Sequence, residues 1–152
     1  AESLVGKYLS KSQKELRELI KRIFIWGFGL GGVFSIAIFL FPQNILSFFT
    51  NNEKVLQIAL GYMIYTILAP LINSFSYLWD GIYLGASRAK ALRNSMLIAV
   101  FLIYLPLYFL TRSYLGGDSL WIAMVIFMVA RGFLLFIQAE REIFSIGYVK
   151  NA

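Results

Sequence analysis

Two ionisable side chains, Asp80 and Arg131, lie inside apolar stretches of this 152-residue chain. Each would cost roughly 2.5–3.5 kcal/mol at the centre of a lone membrane helix, so the chemistry open to them is to pair. Asp80 stands eight residues before Arg88 and Arg131 ten before Arg141. Both therefore sit at similar depth near the basic ends of their stretches, and the expectation is that they face the bundle and form or approach an ion pair. The stretch holding Asp80 carries a second signal. Tyr62, Thr66, Asn73, Ser76, Tyr77 and Asp80 follow at steps of 4, 7, 3, 1 and 3, close to one helical face. A polar stripe on a membrane helix faces protein or water, because lipid offers no hydrogen-bond partner. These six residues are candidates for lining a solute cavity; a structural packing face is equally available. The chain has no cysteine and no histidine, which removes disulfides, zinc-thiolate sites and imidazole acid/base chemistry. With no acids paired on one side, neither an enzyme nor a metal site is expected.

The elements that must carry these residues follow from composition. Hydrophobic residues make up 59% of the chain and charged ones only 14%, against about 25% charged in soluble domains. Four runs approach the roughly 20 apolar residues that a bilayer core requires: 23–41, 55–79 (extendable to 87 at the cost of Asp80), 94–111, and 119–137 with Arg131. They are continuous rather than short and alternating, so a β-barrel is excluded and the fold class is an all-α membrane protein of four helices. The formal charge of +6 sits beside apolar runs and points to a lipid surface rather than nucleic acid. Six basic residues precede the first run (Lys7, Lys11, Lys14, Arg17, Lys21, Arg22), and one (Lys54) follows it. Three more (Arg88, Lys90, Arg93), one (Arg112) and two (Arg141, Lys150) occupy the remaining connectors and the tail. Because Lys and Arg are retained on the cytoplasmic side, both ends are expected to be cytoplasmic. The predicted organisation is a cytoplasmic segment 1–22, a four-helix transmembrane part 23–137 and a cytoplasmic tail 138–152.

Ser12-Gln13-Lys14-Glu15 fits a helix-capping box, and Leu16, Leu19, Ile20 and Ile23 follow at helical spacing. A short amphipathic interfacial helix before the first span is expected, with Glu18 and Arg22 at i,i+4. Gly27, Gly29 and Gly32 match the dinucleotide fingerprint by spacing, but that motif needs a preceding strand. Gly27 with Gly31, and Gly81 with Gly85, read as close helix packing instead. Pro70 removes a backbone donor, so a kink is expected there. No cleavable signal peptide is visible. The chain starts Ala1-Glu2-Ser3 without an initiator methionine and reads as the C-terminal piece of something longer.

Leu78-Trp79-Asp80-Gly81-Ile82-Tyr83-Leu84-Gly85-Ala86-Ser87-Arg88 and Leu92-Arg93-Asn94-Ser95-Met96 resemble the C-terminal part of the multidrug and toxic compound extrusion (MATE) family. The similarity is to its DNA-damage-inducible F (DinF-like) branch. Ala1-Glu2-Ser3-Leu4-Val5-Gly6 looks like the end of the eighth helix, Leu46-Ser47-Phe48-Phe49-Thr50 like the family's loop before the tenth, and Ala130-Arg131-Gly132 like part of the last helix. The resemblance implies helices nine to twelve of a twelve-helix, two-lobe transporter in the plasma (inner) membrane. It implies export of small organic compounds in exchange for protons or sodium, by alternating access, with the N-terminal lobe of the same protein as partner. The aspartate that one branch places on the tenth helix would fall near Phe75 or Ser76, where no acid stands, so that role does not pass to Asp80. Asp80-Gly81 followed by Ala86-Ser87-Arg88 also resembles the start of the CDP-alcohol phosphotransferase motif, but the spacing is wrong and the later aspartate, Asp118, is on the opposite predicted side. Two other readings stand beside the exporter: a lipid-linked oligosaccharide flippase of the same superfamily, and a non-transporting four-helix scaffold. Four spans do not make two lobes, so the chain alone is expected to be inactive.

Overall fold

The computed structural model describes residues 1–9 and 12–145, and these are helical almost throughout. Lys11 and Lys150, both part of the charge count above, lie outside the described residues, as does the end of the predicted tail, 146–152. A short helix α1 (Glu2–Tyr8) precedes α2 (Gln13–Leu40), the first helix long and apolar enough to cross a bilayer. Two further crossings are Ala89–Leu115 and Asp118–Phe144, and a fourth exists if α4 (Glu53–Gly61) and α5 (Met63–Gly85) count as one bent span.

The Ser12 hydroxyl accepts the Glu15 N–H at 3.3 Å, and the helix it caps runs on without a break for 28 residues. The amphipathic segment is therefore not a separate interfacial helix, as the sequence suggested, but the opening turns of the first span. Nothing between Arg22 and Ile23 terminates a helix. The segment read as a loop around Leu46 is also helical: α3 (Pro42–Phe49) starts with proline in its first turn, where no N–H is needed. Asn52 then caps α4, its Oδ1 accepting from the N–H groups of Lys54 (3.0 Å) and Val55 (3.4 Å).

The kink expected at Pro70 does not break the helix that holds it. Helix α5 continues through Pro70, and the 54° bend falls between Gly61 and Met63. At that point the N–H of Tyr62 bonds to Ala59 and the N–H of Tyr65 to Tyr62, each at 3.1 Å, so two i→i−3 turns replace α-helical bonding. Proline costs α5 one backbone bond, which membrane helices tolerate. The third crossing is α6 (Ala89–Ile98) and α7 (Leu105–Leu115) joined by a π-helical segment, Ala99–Tyr104. Pro106 supplies the reason: it cannot donate to the carbonyl four residues back, and just before it the Leu105 N–H reaches five back, to Val100. The last crossing, α8 (Asp118–Ala139), ends in a second π-helical turn, Glu140–Phe144.

Packing is concentrated at the basic end. Ile82, Tyr83 and Leu135 are fully buried there, with Leu16, Ile20 and Trp79 around them, and Val5 of α1 closes the cluster. Gly85 admits α1: a Cβ at that position would stand 2.9 Å from the Val5 Cβ and 3.0 Å from the Glu2 Cα. Arg17 meets Glu140 at 2.7 Å, Arg88 Nε donates to the Glu142 carbonyl at 3.0 Å, and Gln13 Nε2 donates to the Phe144 carbonyl. Exposed pairs of this kind contribute little, so the apolar cluster dominates.

Candidate functional site

Gly132 lets α8 approach α5, because a side chain there would collide with the Phe75 ring and stand 3.3 Å from the Ser76 Cα. This approach sets Arg131 Nη2 at 2.5 Å from Asp80 Oδ2. The two side chains are only 10% and 14% exposed. The pair is incompletely satisfied. Asp80 Oδ1, Arg131 Nε, Ser76 Oγ and Trp79 Nε1 are buried without a partner among the described residues. One contact thus stands where a guanidinium and a carboxylate can make two.

A turn further on, the Tyr83 hydroxyl donates to the Leu135 carbonyl at 2.7 Å, a second tie between α5 and α8. Tyr83→Phe is expected to lower the stability of the protein by about 1 kcal/mol, the usual worth of one such bond. The thermal midpoint in detergent measures it, and no change would mean that water or another group replaces the bond.

The six polar residues of the stripe do not share one surface. Thr66, Asn73 and Tyr77 line a groove of ≈ 600 Å³ between α2 and α5, with Phe34, Leu78 and Pro70 among its walls. Tyr77 is 55% exposed there, whereas Ser76, one residue earlier, is fully buried. Ser76 and Asp80 belong to the α8 side. Tyr62 lies at the bend, its ring stacked on Trp121 (6.0 Å between centroids) and Tyr65 (6.4 Å), its hydroxyl against Gly117. Among the described residues that line the groove none is charged. Its floor depends on Gly31, where a Cβ would stand 2.8 Å from Ser74 Oγ and 2.9 Å from the Pro70 carbonyl oxygen.

Sequence reasoning missed the ring cluster at the bend. Tyr65 and Trp121 stack nearly parallel, 5.7 Å apart, and the Tyr65 hydroxyl donates to Asp118 Oδ1 at 2.9 Å. The signal was three aromatic residues and an acid near two span ends on the same side, but nothing local says that they meet. Among the described residues no group of acidic side chains could hold a metal ion.

Apolar crossings, a buried ion pair and an uncharged polar groove define a segment of an integral membrane protein with a solute-sized recess. The MatE family profile matches residues 1–110, and the chain belongs to this family, that of the multidrug and toxic compound extrusion transporters. Its members are transporters and not enzymes. The chain is 35% identical over 103 residues to DNA damage-inducible protein F of Escherichia coli (strain K12), covering 68% of this chain and 22% of that protein. It is 26% identical over 132 residues to Protein DETOXIFICATION 44, chloroplastic, of Arabidopsis thaliana, covering 86% and 25%. It is also 26% identical over 140 residues to Probable multidrug resistance protein NorM of Photorhabdus laumondii subsp. laumondii, covering 88% and 31%. The chain therefore spans between a fifth and a third of the length of these curated relatives. No solved structure matches it.

Proposed function

We propose that this chain forms the last four membrane helices, nine to twelve, of a twelve-helix, two-lobe exporter of the DinF-like branch. The observation that carries the reading is the α2–α5 groove, polar but uncharged at Thr66, Asn73 and Tyr77, which none of the other described helices lines. In this reading the groove is part of the wall of the solute cavity, and the N-terminal lobe of the same protein supplies the facing wall. The solutes are small organic compounds, and a proton or sodium ion moving the other way drives their export by alternating access. Asp80 and Arg131 hold α5 to α8 rather than bind solute. The Lys and Arg distribution supports a plasma (inner) membrane segment with both ends cytoplasmic: 1–22 before the bundle, 23–137 within it, 138–152 after it. The similarity to a protein named for multidrug resistance and to DNA damage-inducible protein F supports the exporter assignment and the branch.

The test is dye efflux from cells lacking their own exporters, comparing the full-length parent with its Asn73→Leu and Tyr77→Phe forms at equal membrane abundance. Efflux is expected to fall roughly fivefold to tenfold, the equivalent of about 1–1.4 kcal/mol of lost solute contact. Unchanged efflux in both removes the groove from the cavity. The isolated chain is expected to transport nothing, and vesicles holding only this segment that extrude dye against a gradient would refute the two-lobe reading.

A further inference from the structure

Lys14, Arg17 and Lys21 follow one another at steps of three and four on α2, and Phe24 and Phe28 continue the same face toward the apolar run. The acids of this stretch are elsewhere: Glu15 and Glu18, with Arg22, line a shallow recess beside Tyr8 of α1. Charge is thus sorted around the helix, with a basic face that becomes aromatic as it enters the bilayer. Against that face lies a cavity of ≈ 480 Å³ walled by Phe24, Phe75, Trp79 and Phe136, with Arg17, Lys21 and Glu140 at its mouth. This volume falls in the usual range of ligand sites, about 300–1,000 Å³. Glu140 is neutralised by Arg17 at 2.7 Å, and the Arg17 guanidinium also lies 4.2 Å from the centre of the Phe144 ring. Lys21 is exposed and has no partner among the described residues, so the mouth carries a net positive charge and an uncommitted ammonium.

We propose that this cavity binds an anionic phospholipid. The phosphodiester meets the Lys21 ammonium and the outer edge of Arg17, and an acyl chain lies between the rings of Phe24, Phe75, Trp79 and Phe136. Lys21 stands two residues before the first charge-free run, the depth at which a headgroup meets a helix. Free phosphate has no use for the aromatic wall, and a neutral lipid has no use for Lys21. The inference needs the chain to lie in a bilayer and does not need the exporter reading.

The test uses the full-length parent in bilayers, with every tryptophan but Trp79 replaced by phenylalanine. Phosphatidylglycerol or phosphatidylcholine brominated on the acyl chains is added at equal mole fraction. Trp79 quenching by the brominated phosphatidylglycerol is expected to exceed that by phosphatidylcholine roughly fivefold, the factor that one basic residue near a lipid surface supplies. Lys21→Gln, which leaves Arg17 on Glu140, is expected to bring the ratio to about one. Equal quenching by both lipids in the unchanged cavity overturns the proposal, because it shows lipid contact without headgroup recognition. No quenching by either also overturns it, since the cavity is then filled by another part of the protein. Should the single-tryptophan form fail to fold, native mass spectrometry of the unaltered parent and of Lys21→Gln reads the same preference as retained phosphatidylglycerol over phosphatidylcholine, and a preference absent in the parent or unchanged in the variant refutes it.

Discussion

Asp80→Asn and Arg131→Gln, introduced singly into the full-length parent, are each expected to destabilise the folded protein by roughly 3–5 kcal/mol, while the double replacement falls within about 1 kcal/mol of the original. The asymmetry follows from the site. Each single change leaves one charge buried beside Ser76 and Trp79, at side-chain exposures of 10% and 14%, with its partner gone. The double change leaves two neutral amides, the glutamine shorter than the arginine it replaces, and no buried charge. The pair itself adds little net stability, because Asp80 Oδ1 and Arg131 Nε lack partners among the described residues and so recover only part of the cost of leaving water. Membrane abundance and the thermal midpoint in detergent read the effect. Losses that simply add would show that the two charges are not coupled. A double variant at normal abundance that no longer exports dye would move the pair from support to mechanism.

The second large effect concerns glycines that look alike in sequence. Gly31→Ala is expected to cost about 1–3 kcal/mol, whereas Gly29→Ala and Gly32→Ala are expected to be neutral or stabilising by up to about 1 kcal/mol. A methyl at Gly31 meets the Pro70 carbonyl oxygen, which is backbone and cannot turn aside, and Ser74 Oγ, itself held by a 2.5 Å hydrogen bond to that oxygen. Around Gly29 and Gly32 nothing among the described residues lies within 4 Å of such a methyl. The series separates the two meanings of the motif. A dinucleotide site would depend on Gly27, Gly29 and Gly32, and helix packing on Gly27 and Gly31. Equal sensitivity at all the positions would contradict the packing geometry. Thermal unfolding of the three variants in one detergent decides it.

Both expectations begin in the sequence, and its legibility has a pattern. Features set by local composition were readable: charge-free length marks the crossings, and Gly27 with Gly31 marks a close helix approach. Features set by where helices meet were not. Pro70 is the strongest local breaker in its span, yet the helix runs through it and the 54° bend is at Gly61 and Tyr62, where two i→i−3 turns and the Trp121 ring of another helix fix the geometry. The polar stripe looked like one surface because its residues share a helical arc. Its division into Thr66 and Tyr77 on one side and Ser76 and Asp80 on the other, with Asn73 reaching both, depends on α2 and α8 packing against different flanks of α5. Likewise, the docking of α1 against Gly85 joins segments about eighty residues apart, which no local pattern encodes.

Asp80 and Arg131 are also the charges that lie within the apolar runs of the described residues, and they stand 2.5 Å apart. A membrane voltage does work on displaced net charge, about 2.3 kcal/mol per elementary charge per 100 mV. An ion pair that moves as a unit displaces none. Displacement of this pair as one body through the field is therefore electrically silent, and any voltage dependence must enter through other charge.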